Sequence, residues 1–161
     1  MRRPPAFSKA SAMHSLFDAA DRQSVLGRLA HFRPGAERQW GKMAAAQMMA
    51  HCTAALEVAT GDRRRKQALV GKIFAPFVRS SLLGEKPFSR GSPTDPSFIV
   101  TEEKDFEAEK QRLTGLVVRF CESGPEKASA QVHSFLGRLR GEEWGVMMYK
   151  HLDHHLRQFG A

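Results

Sequence analysis

The sequence predicts an all-α fold. Apolar residues recur at spacings of three and four along several stretches, and Gly or Pro residues close those stretches. No segment of useful length alternates apolar with polar residues, so no sheet is expected. At 161 residues the chain fits one domain, 1–161, and buries a core without staples.

Residues 1–12, rich in Pro, Ser and Arg, predict a loose arm. A first helix is predicted from Asp18 to His31, with Leu26 and Leu29 in its apolar stripe and Arg33-Pro34-Gly35 as its stop. A second begins after Trp40-Gly41 and ends at Gly61. Ala44, Met48, His51, Ala55 and Val58 fall on one face of it. Arg64 to Leu83 predicts a basic amphipathic helix with a kink or break at Pro76.

Residues 84–100 carry Gly84, Pro87, Gly91, Pro93 and Pro96 and predict a long irregular loop, a length that often goes with function. Thr101 with Glu102 and Glu103 has the character of a capped, acidic helix start. Phe106, Leu113, Leu116, Val117 and Phe120 supply that helix's core stripe, and Gly124-Pro125 ends it. A second irregular stretch is expected over 125–140, with a short apolar element from Val132 to Leu139. The last helix is predicted from Glu142 to Phe159, stopped by Gly160.

No apolar run approaches the ~20 residues of a membrane span. The basic N-terminus is followed by no apolar stretch, so a cytoplasmic location is the expectation. Cys52 and Cys121 lack metal or redox spacing and read as reduced, part-buried thiols. The net charge is +8, and part of the excess sits in Arg63-Arg64-Arg65-Lys66. Such a run is usually a solvated face.

The histidines are more informative. Residues 151–155 read His-Leu-Asp-His-His. At ~100° per residue, His151 and His155 lie roughly 40° apart, one turn above the other, and both rings can reach one point. Trp144, Met148 and Gln158 share that face and mark it as inward. His51, on the inward stripe of the second helix, makes a third nitrogen donor. Three protein ligands leave a position open for water or substrate. The alternative is a set of core histidines satisfied by hydrogen bonds. His154 points away from His155, while His14, His31 and His133 have no spacing partner and read as surface or loop residues. Asp153, Glu57 and Tyr149 are the nearby acid–base candidates in sequence. Asp153 points away from the His151–His155 face, whereas Gln158 lies on it.

His151-x-x-His154-His155-x-x-Gln158 near the C-terminus, with a single His51 in the second helix, resembles the DinB-like (YfiT-type) metal-binding bundle superfamily. Trp40-Gly41-Lys42-Met43, Gln47 through Cys52, His133 through Leu139, Glu143-Trp144 and Lys150 through Gly160 resemble one uncharacterised bacterial branch of it. The distinctive matches cover about residues 38–60 and 131–160. The resemblance implies an antiparallel four-helix bundle, up-down-down-up, with the 64–83 helix as an insertion. It also implies that His51, His151 and His155 hold a divalent metal ion, zinc or nickel foremost, and that the protein is a homodimer. Some members are thiol-dependent transferases or isomerases.

Three functions follow as expectations. The first is a metal-dependent enzyme, a transferase or hydrolase, acting on a small molecule such as a low-molecular-weight thiol. The second is a non-catalytic metal or ligand binding module. The third is a nucleic-acid or membrane-surface binder acting through the basic helix, with no recognised nucleic-acid motif beside it.

Overall fold

The computed structural model describes residues 13–161, and the arm expected over 1–12 lies outside them. The protein is mostly helical, as predicted. Asp18 starts α1 (Ala19–His31), its carboxylate accepting the Ala20 and Asp21 N–H groups. Val25 and Leu29 are its buried residues.

The second helix, α2 (Ala45–Thr60), starts later than expected and ends on Gly61 in the left-handed conformation (φ 88°). Ala44 is therefore an exposed cap and not part of the inward stripe. The stripe itself is too narrow a description. Fourteen of the sixteen residues are buried, because α2 packs against α4 and α5 at once. Six small Ala residues let the neighbouring elements approach closely.

The basic run does not form a helix. Arg63 turns back onto Glu57 (2.8 Å), and Gln67 and Ala68 donate to the Phe135 and Ser134 carbonyls. Helix α3 (Leu69–Leu83) begins only after these tethers, and Pro76 stands inside it without breaking it. Proline removes one N–H and crowds one carbonyl, and Pro76 does so on the exposed side of the helix.

The 84–100 connection is irregular as expected, apart from one 3-10 turn at Pro96–Phe98. Helix α4 (Phe106–Ser129) is capped by Asp105, whose side chain accepts the Ala108 N–H. Asp105, not Thr101, is the helix start, because only its carboxylate stands within reach of the open N–H groups. Gly124 (φ 77°) interrupts α4 as predicted, but helix resumes from Pro125, a residue suited to a first turn.

A hairpin of two short strands follows, β1 (Val132–His133) antiparallel to β2 (Gly137–Arg138). Two residues are too few to show a period of two in sequence. The last helix, α5 (Gly141–Gln158), matches its prediction to within a residue at each end. One hydrophobic cluster draws residues from all five helices. No helix among the described residues is long and apolar enough to cross a membrane.

His133 is not a surface residue. Its Nδ1 accepts the N–H groups of Phe135 and Leu136 and closes the hairpin turn (3.1 and 3.0 Å). Its ring lies beside Trp144. Burial pushes its pKa down to about 4. The unfolded chain thus takes up a proton near pH 6.5 that the fold refuses until about pH 4. Stability supplied by the neutral ring is complete above pH 6.5 and falls by up to about 3 kcal/mol on going down to pH 4. Urea unfolding of wild type and His133→Asn at pH 7 and pH 4.5 checks this. The variant, whose side-chain oxygen accepts the same N–H groups, loses less stability between the two.

Candidate metal centre

Helix periodicity places His151 and His155 one turn apart on α5, and the burial of α2 turns His51 toward them. The three rings form a nearly equilateral triangle, with centroids 4.9, 4.7 and 4.8 Å apart. One nitrogen from each can be chosen so that all three lie within 4.8 Å of one another. His51 Nε2 and His151 Nε2 face each other at 3.0 Å. A proton or a cation has to lie between two nitrogens so placed.

The outer hydrogen bonds fix the tautomers. His51 Nδ1–H donates to the Phe98 carbonyl (2.9 Å), which leaves its Nε2 as the inward lone pair. His155 Nδ1–H donates to Gln158 Oε1 (2.9 Å), with the same result. The Gln158 amide is itself oriented, because its Nε2 donates to the Trp40 carbonyl (2.7 Å). Gly41 makes that contact possible: a Cβ there would fall 2.2 Å from Gln158 Nε2, and φ is +82°. Burial lowers the pKa of all three histidines, that of His155 to about 3. For His151 the neighbouring His155 and His51 add to the effect of burial. The rings are therefore neutral at neutral pH and present lone pairs.

The donor set fits a divalent transition ion. In a tetrahedral site with metal–nitrogen bonds of about 2.0–2.1 Å, ligand nitrogens stand roughly 3.3 Å apart. The 3.0 Å pair is already near that edge, and the third nitrogen, within 4.8 Å of the others, has to close in by up to about 1.5 Å. Imidazole donors suit zinc, nickel, copper and iron.

Loop 84–100 lies against the histidines. Phe98 sets the His51 tautomer, and Phe88 and Trp40 flank His154 (ring centroids 6.1 and 5.7 Å). His154 thus lies half-buried between loop and helix, outside the triad. Neither backbone carbonyl, of Phe98 or of Trp40, carries any signature in sequence.

The acid–base candidates are engaged elsewhere. The Asp153 carboxylate takes Arg28 (2.8 Å), Glu57 binds Arg63 and Arg112, and Tyr149 stacks on His14. Cys52 follows His51 in sequence, but it does not join the triad, and its thiol donates to Met48 Sδ (3.7 Å). Burial raises the Cys52 pKa, which keeps it protonated and inert.

Gln158→Leu removes the acceptor that holds His155 in its tautomer. Metal affinity is expected to fall about 10- to 100-fold, the usual cost of losing such a partner. Competition with a chromophoric chelator measures it.

A family model described as Protein of unknown function (DUF1569) matches residues 10–161. No curated protein and no solved structure matches the chain. With nearly its whole length matched, the chain belongs to the DUF1569 family.

Proposed function

We propose that this protein holds one divalent metal ion, zinc or nickel foremost, on His51, His151 and His155, and that it is a metal-dependent enzyme of the thiol-transferase or hydrolase type. The observation that carries the proposal is the triangle of inward lone pairs with its two fixed tautomers. A bound ion supplies Lewis acidity that favours the deprotonated form of a water or thiol. Three neutral imidazoles bring no negative charge, so the fourth ligand is favoured as an anion: hydroxide, or the thiolate of a small thiol. Phe98 packs on His51, and Trp40 and Phe88 pack on His154, which limits water around the rings.

The resemblance to the DinB-like superfamily supports the same ligands. It extends the reading to an antiparallel four-helix bundle of α1, α2, α4 and α5, with α3 inserted. The packing of α2 and of α1 against both α4 and α5 supports this arrangement.

One observation favours the second reading, a non-catalytic binding module. No Asp or Glu joins the triad among the described residues, so a general base would have to come from the metal-bound group itself. Elemental analysis of protein purified without a histidine tag tests both readings. One equivalent of a single transition metal per chain is expected. Folded protein that takes up neither zinc nor nickel on dialysis would remove them both. Metal-loaded protein inactive on activated esters and in thiol transfer leaves the second.

A further inference from the structure

Helix α3 is built the wrong way round for a globular protein. Its small residues face inward: Gly71 and Ala75 are buried. A Cβ at Gly71 would come within 2.2 Å of the Phe135 carbonyl oxygen. From Leu69 to Phe77 its large apolar residues face outward, with Leu69 74%, Val70 54%, Ile73 55%, Phe74 52% and Phe77 79% exposed, and Leu83 at the C-terminal end is buried. Of the seven large hydrophobic side chains exposed among the described residues, these five form a single helical stripe. A contiguous patch of that kind marks an interaction surface.

The helix cannot roll over to bury the stripe. Buried Lys150 donates to the carbonyls of Ser81, Leu82 and Gly84 and ties down its C-terminal end. Ala68 is held to Ser134 at the other end.

Charge identifies the occupant. From Arg63 to Leu83 there are six Lys or Arg residues and no Asp or Glu. Arg63 and Arg79 are paired with Glu57 and Glu143. Arg64, Lys66 and Lys72 are exposed and make no ion pair among the described residues. A second copy joined through this face would bring two such basic segments together, with no acid in either to offset the charge. An anionic lipid surface complements both features at once, taking the apolar stripe among its acyl chains and the cations among its headgroups. With 15 residues, α3 is too short to span a bilayer and would lie in its surface.

We infer that α3 docks the protein on an anionic membrane surface, with Leu69, Val70, Ile73, Phe74 and Phe77 inserted and Arg64, Lys66 and Lys72 at the headgroups. The inference is independent of the metal.

The test is co-sedimentation of the full chain with vesicles of phosphatidylcholine alone, or with about one-third phosphatidylglycerol. Binding is expected only on the anionic vesicles and weakens as salt is raised. The double variant Phe74→Ser/Phe77→Ser alters two exposed residues, keeps its helical circular dichroism and binds at least about tenfold more weakly. No binding to anionic vesicles at low salt, or equal binding by the variant, overturns the inference. A wild-type dimer that the variant converts to monomer, with no vesicle binding, would assign the stripe to a second copy instead.

Discussion

Replacing His151 with alanine is expected to lower the affinity for a divalent ion by more than about a hundredfold, since losing an outer partner alone costs up to that much. The loss is of a direct donor, the one whose Nε2 stands 3.0 Å from that of His51. Two nitrogens do not substitute for three, because the remaining pair leaves the ion half open to water. The fold tolerates the change. His151 is only partly buried, and the core contacts of α5 run through Trp144, Met148, Leu152 and Leu156. Isothermal titration with zinc and with nickel, paired with circular dichroism, separates loss of the donor from loss of structure. Retained affinity would remove His151 from the ligand set.

Trp144→Ala is expected to destabilise the fold by about 3–5 kcal/mol, the range for deleting a large buried aromatic. Trp144 is fully buried at the start of α5, and its indole N–H has no acceptor among the described residues. The cost is therefore cavity and lost packing, not a broken hydrogen bond. Since α5 carries two of the three histidines, looser seating of this helix also weakens metal binding. The midpoint of urea unfolding should fall with an unchanged slope. A loss under about 1 kcal/mol would mean the site collapses readily around the vacated ring.

The legible parts of the molecule were those governed by local rules. The start of α1 near Asp18, the Gly61 and Gly124 interruptions and the extent of α5 follow from residue chemistry within one or two turns. The triad was legible too, because helical spacing fixes the direction of His151 and His155 and an apolar helix turns His51 inward.

What the sequence hid depends on contacts between distant segments. The basic run reads as the start of a helix, but Arg63 folds back on Glu57 and the chain is tied to Ser134 and Phe135, so α3 begins at Leu69. A reader of periodicity assigns the apolar side of α3 to the core; only the close approach of Gly71 to Phe135 shows that the helix sits on its small residues. His133 reads as a loop residue until its Nδ1 is seen to accept two backbone N–H groups. Glu57, Asp153 and Tyr149 lie near the histidines in sequence but on other faces of their helices, where Arg63, Arg28 and His14 engage them.

X-ray absorption at the edge of the loaded metal speaks most directly to a cation bound by side chains from α2 and α5 together. Three imidazole nitrogens at about 2.0–2.1 Å, with a single oxygen or an added thiol sulfur completing the shell, is the predicted spectrum. A shell of oxygens alone, or one built from the Cys52 or Cys121 sulfur, would contradict the account.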